Sequence, residues 1–157
     1  MIKLFRLDER LIHGQVAFAW CNSLNINCIF IANDSVANDQ FRQNVLKMAT
    51  PPGVRFVAKN LSETLRIFHE DKIKKYNVLL LTDNTKDAKY LCQNIEDIHE
   101  LNLGNTKKTD AREVVTRSIA LTPEEKKDLK DIIDFGVEVE IREVPSEKKV
   151  LLKTVLP

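Results

Sequence analysis

The sequence predicts an α/β fold: an open, mostly parallel β-sheet with helices on both faces, in a single domain. Three observations carry this prediction. Apolar residues switch repeatedly between strand-like and helical spacing along the chain. Two strand-like runs, residues 28–32 and 78–81, are continuously apolar, as in strands covered on both faces. No linker, repeat or low-complexity segment divides the 157 residues, a length that suits one domain with a real core.

Taken in order, Ile2–Asp8 reads as the first strand. Ile12, Val16, Ala19, Trp20 and Leu24 then fall at helical spacing. Cys28–Ala32 is the second strand. Ala37, Phe41, Val45 and Met48 mark a second helix, ended by Thr50-Pro51-Pro52-Gly53. Residues 54–58 are the third strand. Asn60 is placed to cap the next helix, with Glu63 in capping-box position and Leu61, Leu65 and Phe68 as its inner face. Residues 78–81, the most apolar run, belong centrally in the sheet. Ala88, Leu91, Cys92 and Ile95 give the face of a fourth helix.

Residues 99–103 and 114–121 read as strands joined by a polar loop, 104–110. Thr122-Pro123-Glu124-Glu125 is a strong helix start, with Thr as N-cap, Pro at N1 and Glu at N3. Leu129, Ile132 and Ile133 supply its buried side, and Gly136 ends it. Residues 137–144 alternate apolar and charged side chains, which suits an outer strand with one solvated side. The apolar tail (Val150, Leu151, Leu152, Val155, Leu156) has either its own domain or another subunit to pack against.

Composition narrows the function classes. Lys and Arg number 24 and Asp and Glu 23, so the net charge of +1 argues against nucleic-acid binding through bulk charge. The three cysteines are odd in number and form no C-x-x-C, so neither a disulfide framework nor a zinc ribbon is expected. Cys21, Cys28 and Cys92 fall on helices and a strand and read as buried thiols. Residues 11–33 lack charge, but Gln15, Asn22, Ser23, Asn25 and Asn27 interrupt them, which disfavours a membrane span. The first residues show no signal-peptide pattern, so the expected compartment is the cytoplasm.

In an open α/β sheet, ligands gather outside the carboxyl ends of the strands. The loop after the first strand is the richest: Arg6-Leu7-Asp8-Glu9-Arg10-Leu11-Ile12-His13-Gly14-Gln15. His13 stands where the first helix begins. A neutral imidazole is a good nucleophile near pH 7. The backbone N–H groups of a helix start favour an anion, and Gly14 lets a ligand approach closely. Arg10 offers a planar fork for phosphate. Asp8 is placed to orient the imidazole or to pair with Arg10. These parts suit a phosphoryl group on His13, although a histidine at such a junction also serves as an ordinary cap. Asn33, Asp34, Thr82 and Asp83, at neighbouring strand ends, either complete the rim or act as turn formers and caps.

Other chemistries fit less well. The chain has no G-x-G-x-x-G and no Walker A motif for a nucleotide. A receiver-like regulatory or docking module shares the architecture and has paired acids after its first strand, as Asp8-Glu9 here. It also needs an aspartate at the end of the third strand, where this chain has Lys59-Asn60. Nothing in the spacing of Asp8, Glu9 and His13 is diagnostic of a metal, and none is expected. His69 and His99 sit beside acidic residues and read as solvated.

The segment from Arg6 to Val16 closely resembles R-[IV]-D-[DE]-R-L-I-H-G-Q-V. That is the N-terminal signature of IIB subunits of the bacterial sugar phosphotransferase system, mannose/fructose/sorbose family. The resemblance continues through Ile31-Ala32-Asn33-Asp34, Phe41-Arg42-Gln43, Leu46-Lys47-Met48-Ala49 and Pro52-Gly53-Val54. It returns at Leu121-Thr122-Pro123-Glu124-Glu125 and Gly136-Val137-Glu138-Val139-Glu140. It implies one IIB domain over 1–157 and a phosphohistidine–sugar phosphotransferase activity. His13 matches the histidine that takes a phosphoryl group, on Nδ1, from a phosphohistidine of the IIA subunit. It passes that group to a sugar held by the membrane subunits IIC and IID. Arg10 matches the arginine that balances phosphate charge; Asp8, Gly14 and Gln15 match residues of the same loop.

The resemblance implies no cofactor, no nucleic-acid partner and a cytoplasmic subunit associated peripherally with its transporter. It leaves mannose, fructose, sorbose and amino sugars open. With His13 so close to Met1, the IIA donor is expected as a separate chain. Basic residues near His13, with Arg6, Arg10, Arg42 and Lys47 as candidates, would suit an acidic donor surface. One departure stands out: the family often carries N-[VI]-G-G-M after the fifth strand, and this chain reads Asn102-Leu103-Gly104-Asn105-Thr106.

Overall fold

The computed structural model describes residues 1–156. Its elements follow the predicted alternation. β1 (Ile2–Asp8) leads through α1 (Gly14–Leu24) to β2 (Cys28–Ala32). Two helices, α2 (Asp34–Ala37) and α3 (Gln40–Met48), precede β3 (Arg55–Lys59). α4 (Leu61–Phe68) and a 3₁₀ turn at Asp71–Lys75 lead to β4 (Val78–Thr82). α5 (Thr85–Asn94) precedes β5 (Glu100–Asn105). A short hairpin of β6 (Glu113–Val114) and β7 (Ala120–Leu121) precedes α6 (Pro123–Asp134). The chain closes with β8 (Glu138–Ile141), β9 (Val150–Leu151) and a 3₁₀ turn at Leu152–Thr154.

Seven strands form one sheet in the order β3-β2-β4-β1-β5-β8-β9. All pairs are parallel except β8 with β9. Parallel strands need both faces covered, and two apolar clusters do this. On one face, Phe5, Leu7, Phe30, Leu80 and Leu103 meet Phe68 of α4, Leu91 of α5 and Leu129 and Ile132 of α6. On the other, Ile29, Ile31, Leu79 and Leu81 meet Ala17 and Cys21 of α1 and Leu46 of α3. The three thiols are free, and burial pushes them up to about 11 (Cys21), 11 (Cys28) and 12 (Cys92), which suits packing rather than reactivity.

Several expectations are corrected. The expected second helix is two helices, because Asp39 caps a new one by accepting from Arg42 N at 3.0 Å. Its apolar stripe faces outward: Phe41 is 77% and Met48 86% exposed, while Leu46 carries the inner face. Residues 114–121 form a hairpin end and its turn rather than one strand. Residues 137–144 do not form an edge strand, since β9 pairs outside β8 and Glu140 is buried. β4 is interior, but the middle strand is β1. The tail packs on this chain, with Leu152 fully buried in the first cluster.

The sheet order also places the site. β1 hands the chain towards β2 on one side, and β4, its neighbour, hands it towards β5 on the other. This reversal opens a crevice at the carboxyl ends of β1 and β4. The loop after β1 lies there.

Candidate functional site

The loop 9–13 is shaped by Asp8. Asp8 is 1% exposed, and its Oδ1 accepts from Arg10 N at 2.9 Å, closing a side-chain turn. Its carbonyl accepts from Leu11 N at 2.9 Å. Leu11 then adopts a left-handed conformation, φ 60°, rare for a residue with a branched side chain. Leu11 and Ile12 sink into the second apolar cluster, which holds that conformation in place. His13 follows, exposed, as N-cap of α1.

The His13 ring makes no cap bond and pairs with no side chain among the described residues. The first helical bond is Ala17 N to His13 O, 2.8 Å. The N–H groups of Gly14, Gln15 and Val16 therefore lack helical acceptors and carry the positive end of the helix dipole. Gly14 and Gln15 are exposed beside the ring.

Arg10 stands over the same loop. Its Nε donates to Asp8 Oδ1 and its Nη2 to Asp8 Oδ2, both at 3.0 Å. The bonds to Asp8 push its pKa further up. Asp8 thus pairs with Arg10 and not with the imidazole. It also accepts from Arg6 Nη2 at 3.0 Å. Arg6 is 2% exposed, so it cannot belong to a docking rim. Burial pushes its pKa down, and the Asp8 charge opposes that. Its Nη1 donates to Asn102 Oδ1 at 2.7 Å and to Arg142 O at 3.1 Å.

A second clamp comes from the far loop. Arg112 binds Glu9 through Nη1 and forks onto Glu125 through Nε and Nη2, at 2.9 and 2.8 Å. Glu125 completes the capping box of α6 with Thr122. Glu9 N also donates to Asn105 O at 3.1 Å. The divergent Gly104-Asn105-Thr106 segment has its own structural work: Thr106 Oγ1 exchanges hydrogen bonds with Ala120 N and O, both at 2.7 Å. Sequence reasoning missed Arg112; only its place two residues beyond the polar loop hinted at it.

The other candidates separate. Asn33 caps α2 by accepting from Val36 N at 2.9 Å. Asp34 accepts from Leu61 N at 2.8 Å, tying β2's end to α4. Asp83 accepts from Asn84 Nδ2 at 2.8 Å. Thr82 is fully buried, with its hydroxyl unpartnered, and so lies beneath the rim rather than on it. β3 ends at Lys59, and Asn60 caps α4 there by accepting from Glu63 N. No aspartate stands where a receiver module would carry its phosphoryl group. His69 and His99 are exposed. No helix among the described residues is long and apolar enough to cross a membrane.

Comparison with known proteins agrees with this fold. Residues 2–157 match the family model for the sorbose subfamily IIB component of the phosphotransferase system. A probable phosphotransferase enzyme IIB component of Streptococcus pyogenes is 30% identical over 97% of both chains. The IIBSor domain of the sorbose permease from Klebsiella pneumoniae superposes with a TM-score of 0.91 at 30% identity, over 97% of this chain and 93% of that one. The structure of manxB from Thermoanaerobacter tengcongensis gives 0.91 at 31% identity, over 99% and 94%. The chain therefore belongs to the sorbose subfamily of IIB components of the sugar phosphotransferase system.

Proposed function

We propose that His13 accepts a phosphoryl group from the phosphohistidine of a IIA component and passes it to a sugar held by the membrane components IIC and IID. IIB components are phosphocarriers of this system, and residues 1–157 act as one such domain. The observation that supports His13 most strongly is its setting: an exposed, unpaired imidazole at the open N-terminus of α1, in the same short loop as Arg10.

In the first step the ring lone pair, on Nδ1, attacks phosphorus in line. A P–N bond forms to His13 as the P–N bond of the donor breaks, leaving that imidazole neutral. In the second, a sugar hydroxyl oxygen attacks, the His13 P–N bond breaks to leave a neutral imidazole, and the hydroxyl proton passes to solvent water. Positioning and charge stabilisation dominate such transfers. The free N–H groups of Gly14 and Gln15 and the outward edge of Arg10 meet the phosphoryl oxygens. Outside its chain neighbours and its own helical turn, a Cβ at Gly14 would meet nothing among the described residues closer than Ala49 O at 4.0 Å. The glycine therefore leaves room for the transferred group, not for packing.

Asp8 orients Arg10, and Asn33, Asp34 and Asp83 stiffen the neighbouring strand ends. The choice of sugar rests with the membrane components. The chain works beside them without a membrane-crossing helix of its own among the described residues. Phosphoenolpyruvate, the general phosphotransferase proteins and a matching IIA component should label the protein on a base-stable, acid-labile residue. Loss of label in His13→Ala supports the reading; full labelling of that variant overturns it.

A further inference from the structure

Three charged side chains, two of them buried, lie on the strand and loop that lead to His13. Asp8 accepts from Arg10 N, Nε and Nη2 and from Arg6 Nη2. It grips only one edge of Arg10, so both hydrogens of Nη1 and one of Nη2 stay free on a side chain that is 31% exposed. Geometry alone would make Asp8 and Arg10 a neutral pair. A paired carboxylate cancels most of the field that its arginine would exert on an incoming phosphoryl group.

Arg6 changes that balance. Asp8 is the one carboxylate it hydrogen-bonds; its other partners, Asn102 Oδ1 and Arg142 O, are neutral. The guanidinium also lies 5.8 Å from the Trp20 ring centroid. Burying a guanidinium is costly, and neutral or apolar side chains fill such a place more cheaply. We propose that Arg6 is a positioning residue for phosphoryl transfer: buried out of reach of the ligand, it neutralises Asp8, so that Asp8 can hold Arg10 without cancelling its charge. The triad then presents one net positive charge to the phosphoryl group, on a side chain whose direction is fixed. This deepens the assignment of His13 and rests on it.

The test is single-turnover transfer from a purified phospho-IIA component to the full chain, with thermal melting of every variant. Arg6→Gln should slow transfer about tenfold to a hundredfold, the effect of one charge acting at short range. Arg6→Lys, which keeps the charge without the fork, should stay within about threefold of wild type. Adding Asp8→Asn to Arg6→Gln should recover most of the loss, because the carboxylate hydrogen-bonded to Arg10 is gone while the amide oxygen can still accept from Arg10 N and Nε. A purely structural Arg6 makes the opposite forecast: Lys and Gln fail alike, and the two losses add. Either result overturns the proposal. If Arg6→Gln does not fold, Arg6→Lys and the double variant decide. Transfer within about tenfold of wild type in both supports the proposal, and its loss in both overturns it. A wild-type protein without label on His13 defeats the His13 assignment itself. A labelled wild type with an equally fast Arg6→Gln defeats only the role of Arg6.

Discussion

The guanidinium of Arg6 occupies the place where a side chain on Gly104 would begin. A Cβ on Gly104 would lie 2.2 Å from both Arg6 Cζ and Arg6 Nη2. Arg6 cannot step aside without leaving Asn102, Asp8 or Trp20. Gly104→Ala should therefore cost about 1–3 kcal/mol, the usual penalty for overpacking a filled site. It should also slow phosphoryl transfer, since Arg6 moves away from Asp8. Denaturant unfolding and transfer assays check this. Unchanged stability would show that the sheet opens to admit the methyl group.

Leu11 combines strain with burial. Its left-handed backbone costs about 1–2 kcal/mol for a residue with a side chain. Its side chain is buried among Ile12, Ile31 and their neighbours, and losing such contacts costs about 2–5 kcal/mol. Leu11→Gly relieves the first and loses the second. The net expectation is a loss of about 1–3 kcal/mol in denaturant unfolding, with slower transfer as the loop loosens.

Glu140 offers a stabilising change. It is buried opposite Asn102, which donates to its Oε1 at 3.4 Å, while its Oε2 has no partner. Burial raises its pKa above the ordinary 4.5. The fold therefore prefers the protonated form, and stability falls as pH rises above about 4.5 until the raised value is passed. Glu140→Gln removes this cost. It should stabilise the protein at pH 7, within the roughly 0.5–2 kcal/mol typical of such changes, and should gain less at pH 4. Equal gains at both pH values would place the benefit in packing instead.

Glu125 has the opposite sign. Burial pushes its pKa up, but the Arg112 fork and the Thr122 bonds outweigh burial and hold it below the ordinary 4.5. Its stabilisation is complete above about 4.5 and is lost as pH falls through the depressed value. Urea unfolding from pH 7 to pH 3 should show a steeper acid loss in wild type than in Glu125→Gln. The variant should also loosen Glu9, through Arg112, and slow transfer at pH 7.

The sequence made β1, β2, β4 and the start of α6 legible because local signals there agree with burial, whereas α1 buries Ala17 and Cys21 with Trp20 and leaves Val16 and Ala19 half-buried. Thr122-Pro123-Glu124-Glu125 forms the full capping box its pattern implies. The second helix misled because Phe41, Val45 and Met48 share one helical face as a core stripe would, yet that face is exposed. Periodicity reports which residues share a face, not which way the face points. The placement of His13, Gly14 and Arg10 between β1 and α1 was legible because a strand end and a helix start fix their neighbourhood. Arg6 was not. In a strand an alternating pattern places it on a face, and only the register with Asn102 and Glu140 shows that this part of the face is closed.

Trp20, the single tryptophan, lies near two guanidinium groups, with Arg6 at 5.8 Å and Arg142 at 5.6 Å from its ring centroid. Its indole Nε1 donates to Glu143 O at 3.1 Å, which fixes the ring. Indole emission responds to the charges around it. One of these cations grips the carboxylate that steers Arg10. The chain therefore carries an intrinsic fluorophore linked through Arg6 and Asp8 to the loop before α1, and its ultraviolet-excited emission should shift if that loop takes up a phosphoryl group.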